Sequence, residues 1–394
     1  MIEIKPTSQS QREPIIDILR GWALFSVAVM NYSTIYSWNN HSNENETDSL
    51  TETFKIIFET LFESKGWTLL AILFGYGFSI LLKKISNDGQ SHYLFFAKRM
   101  LWLFVFGFVN SLFFGGDILN DYALMGIILL GFYNLSTKSL AIVGATILIL
   151  TPALQSILGN YHLLFTPKYR DTFYELYNHN STFESIKANL FMRYKWMLRL
   201  SYSIILHLIQ LGCFLLGVAL QRSNFFEKLG NEPKSFIRKI VIYSFLISVI
   251  IYLLQNEVEK NEWKLNEYYN LYYPQVISVM IFTTSLVCWT YYSGYGKSAF
   301  KLLKITGKMT LTNYILQNII AFILFINLRP NWNWQSYILV GIVIYIFQLF
   351  FSKWWLTKYN YGFFEWLWRC LSYQQWISLK KIKSDRTTLS KTHG

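Results

Sequence analysis

A carboxylate that follows a pair of glycines is the residue of this chain best suited to acid–base chemistry. Asp117 comes directly after Gly115 and Gly116, in a short connection between two apolar segments. The glycines permit a tight turn, after which an aspartate either caps the next helix or faces an external substrate. A carboxylate in the second role acts as a general acid or base. The residues alone leave both interpretations open.

A second candidate site consists of charged side chains near predicted cytosolic ends of helices. Asp17 and Arg20 are three residues apart, so on a helix they share a face and can pair. The pair either anchors the helix end, with Arg20 reaching toward water, or gives an anionic cytosolic ligand a cationic contact. Lys98 and Arg99 border a predicted cytosolic loop, where they would attract phosphates, although the orientation of the chain also explains them. We take these four residues as candidates for binding a donor molecule or cofactor.

A polar stripe runs along an apolar segment near the end of the chain. Thr310, Asn313 and Gln317 lie at positions i, i+3 and i+7, which places them on one face of a helix. Polar groups at membrane depth must contact protein or water, so the stripe either bonds to neighbouring helices or lines a cavity. The predicted substrate cavity is lined by Asn31, Tyr122, His207, Thr310, Asn313 and Gln317.

A short aromatic and charged segment follows the last apolar stretch. Glu365 and Arg369 are spaced i, i+4, and Trp366 and Trp368 stand between them. Tryptophans and paired charges are typical of helices that lie in the membrane interface. We therefore predict an anchoring helix here.

The elements that must position these groups are membrane-spanning helices. A spanning helix needs about 20 mostly apolar residues. Segments of this kind occur near 16–37, 66–82, 100–114, 122–136, 139–158, 201–221, 240–256, 275–292, 309–327 and 336–352. We predict an all-α, polytopic membrane protein with about ten spans.

The charge pattern predicts the orientation of this bundle. The net charge is +13, and the lysines and arginines concentrate in alternate loops while the acidic residues concentrate in the others. Positive-inside sorting produces this segregation and places both termini in the cytosol. Because orientation explains the basic residues, we do not expect nucleic acid as a partner. We expect membrane lipids, a small-molecule or envelope substrate, and a homo-oligomer as candidate partners.

The remaining composition argues for one helical domain without a metal centre. Cys213, Cys288 and Cys370 have no spacing typical of metal ligands, so no metal site is predicted. We assign 1–380 to a single transmembrane domain and 381–394 to a basic, disordered cytosolic tail that lies against anionic lipid.

Five motifs, in order along almost the whole chain, give it a resemblance to a known family. They are Asp17–Leu24 (D-I-L-R-G-W-A-L), Leu70–Gly77 (L-A-I-L-F-G-Y-G), Gly116–Ala123 (G-D-I-L-N-D-Y-A), Gly307–Gln317 (G-K-M-T-L-T-N-Y-I-L-Q) and Glu365–Arg369 (E-W-L-W-R). With these motifs the chain resembles the YeiB-like family of bacterial inner-membrane proteins, defined by a domain of unknown function (number 418).

The resemblance carries an expectation about function. The YeiB-like family is distantly similar to transmembrane acyltransferases, which take an acyl group from cytosolic acyl-CoA and pass it to a substrate across the membrane. It implies a cavity that runs from the cytosolic face toward the external face. In that case Arg20 would contact the phosphates of the donor, and Asp117 would serve the acceptor side.

One position departs from the family pattern. Members often carry a histidine shortly before the G-D-I-L turn, and here the matching position is Asn110. An asparagine cannot act as a general base, although it can donate a hydrogen bond to an oxyanion. We keep Asn110 beside Asp117 as a candidate catalytic residue.

The leading interpretation is acyl transfer to an envelope substrate in the bacterial cytoplasmic membrane, with acyl-CoA as the donor. A transporter or small-molecule-binding protein with a polar central cavity is the alternative, and a structural membrane partner is a third. The chain shows no convincing inverted repeat, which favours an enzyme over a transporter. The sequence does not decide whether the protein is an enzyme.

Overall fold

The structure is a computed structural model that describes residues 13–40, 49–87, 92–160, 167–179, 181–198, 200–261 and 263–381. Within these ranges the chain is helical, and the only β-type pairing is an isolated bridge between Tyr359 and Lys380. The predicted all-α membrane class is confirmed. The predicted tail lies outside the described residues apart from Lys381.

The described residues form seventeen α-helices and two π-helical segments. The α-helices are α1 (Pro14–Asn39), α2 (Ser49–Phe62), α3 (Lys65–Asn87), α4 (His92–Ser111), α5 (Leu119–Leu130), α6 (Thr137–Asn160), α7 (Pro167–Asn178), α8 (Thr182–Phe191), α9 (Leu200–Arg222), α10 (Phe225–Asn231), α11 (Lys234–Lys260), α12 (Leu265–Tyr268), α13 (Tyr272–Tyr292), α14 (Lys297–Gly307), α15 (Thr310–Ala321), α16 (Trp334–Lys358) and α17 (Phe363–Tyr373). The π-helical segments are Met192–Met197 and Phe322–Asn327.

Eight stretches of the described chain are long and apolar enough to cross a membrane. They are α1, the continuous stretch that joins α2 to α3, α4, α6, α9, α11, α13 and α16. The chain is therefore a multi-pass membrane protein. Each of the eight corresponds to a segment that the sequence predicts, because the length and hydropathy of a span are local properties.

The structure differs from the ten predicted spans in two places. The segment predicted at 122–136 is the short helix α5, whose 12 residues reach only part of the way across a bilayer. The segment predicted at 309–327 is the second half of a broken element, because α14 and α15 meet at an angle of 84°. The count of ten spans and the cytosolic termini stay predictions.

Small residues allow the central helices to approach closely. Gly75 of α3 packs against the backbone carbonyl of Phe214 on α9, and Gly217 of α9 packs against the carbonyl of Ile72. A side chain at either glycine would overlap that backbone. Close packing through small residues is a main source of helix association in lipid, so these contacts fix α3 against α9.

The break between α14 and α15 is fixed from two sides. Gly307, at the end of α14, lies against the backbone carbonyl of Asp17 on α1. Glu365 of α17 accepts hydrogen bonds from the backbone N–H groups of Leu311 (2.6 Å) and Thr312 (3.0 Å), which are otherwise free at the first turn of α15. The bend therefore directs the N-terminus of α15 toward α17.

Helix α8 and the π-helical segment Met192–Met197 follow each other directly and form one helical stretch. It packs onto the bundle with a polar face turned inward, and Asn189 and Arg193 on that face are fully buried. Asn189 accepts a hydrogen bond from the backbone N–H of Gly115, so this helix covers the glycine turn.

Candidate functional site

A cavity of about 750 Å³ lies between α1, α3, α4, α5, α15 and α17. On α3 its lining runs from Lys84 to Leu70, a length of about 21 Å at the helical rise of 1.5 Å per residue. Charged residues such as Arg20, Lys83 and Lys84 line one end, and apolar residues such as Leu73 and Phe74 line the walls beyond it. We name the charged end the wide end, and the opposite end, at Tyr122 and Tyr314, the narrow end. A cavity of this size and shape can hold an elongated molecule with a polar head.

Positive charges dominate the wide end of the cavity. Its basic residues are Arg20, Lys83, Lys84, Arg99, Lys308 and Arg369, and its acidic residues are Glu13, Asp17, Glu227 and Glu365. Two of the carboxylates are already engaged, because Asp17 pairs with Arg20 and Glu365 binds the start of α15. The excess of cations favours an anionic ligand head group.

The predicted pair of Asp17 and Arg20 is present at this wide end. Arg20 Nη1 lies 3.2 Å from Asp17 Oδ1, and the Arg20 side chain remains 30% exposed while that of Asp17 is 5% exposed. Asp17 Oδ2 has no hydrogen-bond partner among the described residues. Both residues line the cavity, so Arg20 keeps donors that a ligand can reach.

The two basic neighbours on α4 separate, and only one of them reaches the cavity. Arg99 lines the cavity and stacks its guanidinium 3.6 Å from the ring centre of Trp368. Lys98 points elsewhere and donates to Gln374 Oε1 at 3.4 Å in an exposed position. Consecutive residues of a helix do not share a face, so the prediction of Lys98 as a donor-binding residue is not supported.

Two tyrosines form the narrow end of the cavity. Tyr122 of α5 donates to the backbone carbonyl of Trp67 at 2.5 Å, and Tyr314 of α15 donates to Asp117 Oδ1 at 3.1 Å. Both side chains line the cavity, whereas Asp117 lies behind Tyr314 and is fully buried. Tyr314 therefore connects the cavity to the carboxylate.

Asp117 sits in the turn between α4 and α5 with three hydrogen-bond donors around it. Besides Tyr314, Asn110 Nδ2 donates at 2.7 Å and the backbone N–H of Leu119 donates to Oδ2 at 3.1 Å. Burial raises the pKa of Asp117 to about 6, and nearby Arg193 and the hydrogen bonds from Asn110 and Tyr314 act in the opposite direction. The carboxylate supports the start of α5 and is also more basic than an ordinary aspartate.

Asn110 is the immediate neighbour of this carboxylate. It is fully buried, and its Oδ1 has no hydrogen-bond partner among the described residues. Since its amide nitrogen donates to Asp117, Asn110 can orient the carboxylate but cannot take a proton from a substrate.

Most of the predicted polar stripe bonds to other helices instead of lining the cavity. Asn313 donates to Ser352 at 2.9 Å and Gln317 donates to Gln348 at 2.7 Å, both on α16. Thr310 alone of the stripe lines the cavity, at the bend that starts α15. The prediction that Asn313 and Gln317 line the cavity is wrong, because α15 turns that face toward α16.

The predictions for Asn31 and His207 are also corrected. Asn31 donates to Asn318 at 3.1 Å between α1 and α15, outside the cavity lining. His207 lies 2.9 Å from Asp121, on the far side of α5, where Asp121 also forms an ion pair with Arg193 at 2.6 Å. These side chains satisfy buried polar groups within the bundle.

The buried ion pair of Asp121 and Arg193 was not predicted from the sequence, although the sequence contains a signal for it. Asn189 and Arg193 are four residues apart in the sequence, so on a helix they share a face. A charged and an amide side chain on one face of a helix that covers an apolar bundle indicate buried polar partners.

That α17 anchors the chain at the membrane interface stays a prediction, but its charged residues also contact the bundle and the cavity. Glu365 faces the bundle and binds the start of α15, with Thr312 Oγ1 donating to it at 2.5 Å in addition to the two backbone groups. Arg369 lies against the rings of Tyr361 and Tyr373, at 5.3 and 5.4 Å from their centres. All four of Glu365, Arg369, Tyr361 and Tyr373 line the cavity.

Comparison with known proteins relates the chain to a family. A family model described as "Protein of unknown function (DUF418)" matches residues 220–375, which include the bend at Gly307 and helix α17. No solved structure gives a significant match.

Curated relatives extend the likeness over nearly the full length. The chain is 24% identical over 409 residues to the uncharacterized protein YxaH of Bacillus subtilis (strain 168). The alignment covers 97% of this chain and 99% of the relative. It is 26% identical over 400 residues to the uncharacterized protein YeiB of Escherichia coli (strain K12). That alignment covers 92% of this chain and 96% of the relative. The partial family match and these full-length relatives support the resemblance to the YeiB-like, DUF418-containing family that the motifs predict.

Proposed function

We propose that this protein is a transmembrane acyltransferase of the bacterial cytoplasmic membrane. It would take an acyl group from a cytosolic donor of the acyl-CoA type and pass it to a molecule of the cell envelope. The observation that carries this proposal is the cavity itself, which begins among cationic side chains and ends at Tyr314, the residue bonded to Asp117.

The two ends of the cavity suit the two ends of such a donor. The phosphates of a CoA-type molecule match the arginines and lysines at the wide end, since charge-assisted hydrogen bonds from arginine to phosphate are strong. The apolar walls suit the uncharged arm and the acyl chain. At about 21 Å along α3, the cavity covers roughly two-thirds of a hydrocarbon core about 30 Å thick. The reacting carbonyl would then lie well inside the membrane.

The chemistry at the narrow end is a proton transfer coupled to acyl transfer. An acceptor hydroxyl or amine attacks the thioester carbonyl carbon, and the acceptor forms its bond to carbon as the carbon–sulfur bond breaks. The electron pair leaves with sulfur. The acceptor proton passes to the Tyr314 oxygen while the Tyr314 proton moves to Asp117 Oδ1, along the hydrogen bond of 3.1 Å. Asn110 holds Asp117 in place for this step.

A transporter is the second candidate, and one observation favours it. The 84° break between α14 and α15 stands beside the cavity, and broken helices mark the substrate sites of many secondary transporters. In that case the cavity would bind a molecule that crosses the membrane unchanged, and Asp117 would take part only through its charge.

Release of free thiol from acyl-CoA separates the two candidates. We would reconstitute the protein in vesicles with a cell-envelope extract as the source of acceptor, add acetyl-CoA or palmitoyl-CoA, and follow free CoA thiol. An acyltransferase releases thiol in amounts equal to acylated product, and Tyr314→Phe removes the activity. Tyr345→Phe is a matched control, because Tyr345 is buried and donates one hydrogen bond, to Gly21, outside the cavity lining. Ligand uptake without thiol release would reject the acyltransferase.

A further inference from the structure

Helix α17 and its neighbours build one wall at the wide end of the cavity from two arginines and three aromatic rings. We call Arg99, Tyr361, Trp368, Arg369 and Tyr373 the α17 wall. All five line the cavity. Arg99 stacks on Trp368 at 3.6 Å, and Arg369 stands between Tyr361 and Tyr373 at 5.3 and 5.4 Å. The wall thus places two flat cations among flat aromatic rings.

Neither guanidinium group of the wall is neutralised by the described part of the chain. Arg99 and Arg369 donate no side-chain hydrogen bond and form no ion pair among the described residues, and they lie close enough to repel each other. Placing two like charges together in a partly buried wall costs free energy unless an anion joins them. The arrangement is therefore suited to a ligand with more than one negative charge.

The sequence neighbour that should pair with Arg369 is unable to do so. Glu365 lies four residues before Arg369, the spacing at which opposite charges on a helix normally pair. Its carboxylate instead accepts three hydrogen bonds from Leu311 and Thr312 at the start of α15. Because the fold commits Glu365 to that helix end, Arg369 keeps its charge for the cavity.

We propose that the α17 wall binds the nucleotide end of the acyl donor. The guanidinium groups of Arg99 and Arg369 hold its phosphates, and the tyrosine rings hold its base. This inference rests on the proposed function, and it adds which part of the donor is recognised and where. Arginine binds phosphate oxygens through paired N–H groups, and bases stack on aromatic rings and on guanidinium planes. A lipid head group shares the phosphate chemistry but lacks the planar base.

Fragments of the donor test this assignment directly. Calorimetry on the purified protein in nanodiscs would measure binding of CoA, of 3′,5′-ADP and of pantetheine. We expect 3′,5′-ADP to bind and to compete with CoA, and pantetheine to bind at least ten-fold more weakly than CoA. Arg369→Gln should weaken CoA and 3′,5′-ADP by about ten-fold or more, the loss typical of a charge-assisted contact. Pantetheine binding should not change.

Two further variants separate a binding role from a folding role. Arg99→Lys keeps the positive charge but loses the flat stack on Trp368, so it should weaken 3′,5′-ADP while the protein folds normally. Lys98→Gln is the matched control, because its side chain is directed away from the cavity, and it should bind every ligand as the wild type does.

The contrary results are equally specific. Equal affinity for pantetheine and CoA, or unchanged 3′,5′-ADP binding in Arg369→Gln, would overturn the assignment. Competition by phosphatidylglycerol in the nanodisc, with none by 3′,5′-ADP, would make the wall a lipid head-group site and overturn it too. Nucleotide binding without any acyl transfer would support the nucleotide-binding role of the α17 wall and reject the proposed acyltransferase function. Equal transfer from acyl-pantetheine and acyl-CoA would support the acyltransferase function and reject the nucleotide-binding role of the wall.

Discussion

Tyr314 lines the cavity and its hydroxyl donates to Asp117 Oδ1 at 3.1 Å, although the two residues are 197 positions apart in the chain. Asp117 itself is fully buried behind it. A group bound in the cavity would therefore meet the tyrosine first. This relationship gives a buried carboxylate a route to a ligand without exposing it to water.

The first prediction concerns Asp117→Asn. Asparagine keeps the shape of the side chain and can still accept from Leu119, but it cannot take a proton, so thiol release should fall by about a hundred-fold or more. Thermal unfolding in detergent should change little. Asp117→Ala removes all three hydrogen bonds and should also destabilise the protein by about 1–3 kcal/mol. Full activity of Asp117→Asn would leave the residue a purely structural role.

The second prediction is a pH dependence that follows from the raised pKa of Asp117, about 6 against an ordinary 3.8. Under the proposed mechanism Asp117 is the base and works only when ionised, so kcat should fall as the pH drops below about 6. The stability of the fold should change with pH in the opposite direction to kcat. The folded state holds the proton more tightly than the unfolded state, so the contribution of Asp117 to stability decreases as the pH rises from about 4 to 6.

A pH series of kcat and of unfolding checks both statements, with Asp117→Asn as the reference that lacks this titration. An acid limb that persists unchanged in residual Asp117→Asn activity would assign the titration to another group.

The third prediction concerns Glu365, which holds the bend between α14 and α15. Glu365→Ala leaves the N–H groups of Leu311 and Thr312 without their acceptor, so we expect a loss of about 1–2 kcal/mol in unfolding free energy. Glu365→Gln keeps one carbonyl acceptor and should lose less. Differential scanning fluorimetry measures both. Equal stability of Glu365→Ala and wild type would show that the bend does not depend on this cap.

The fourth prediction concerns the buried pair of Asp121 and Arg193, at 2.6 Å with both side chains at most 1% exposed. Removing one partner leaves the other charge buried without its ion-pair partner. Arg193→Met and Asp121→Leu should therefore each lower the unfolding free energy by about 3–5 kcal/mol. The double variant should cost less than the sum, because no charge is left unpaired. A double-mutant cycle of unfolding free energies measures the coupling, and simple additivity would contradict it.

The fifth prediction is the orientation of the chain. The buried cysteines Cys213, Cys288 and Cys370 can be replaced to give a background without reactive thiols. In intact cells a membrane-impermeant reagent should then label a cysteine at Lys168, in α7, but label one at Lys381 only after permeabilisation. Labelling of Lys381→Cys in intact cells would invert the topology and place the mouth of the cavity outside the cell.

The sequence by itself determined that the chain is helical, crosses the membrane many times and resembles the YeiB-like family. The segment predicted at 16–37 became α1, Pro14–Asn39, because every backbone group in lipid must be bonded within its own helix. Hydropathy over about 20 residues is enough to predict such a spanning helix. Asp117 and the Gly307–Gln317 motif were also recognisable as candidates from residue type and order, since both are local features.

Only the tertiary structure decided which polar side chains meet in the cavity. Thr310 and Tyr314 face it while Asn313 faces α16, and Arg99 faces it while Lys98 does not. That choice depends on how each helix is rotated against its neighbours and on the 84° break between α14 and α15. Rotation and bend are fixed by contacts between residues far apart in the chain, such as Gly307 against Asp17, and no local pattern specifies them.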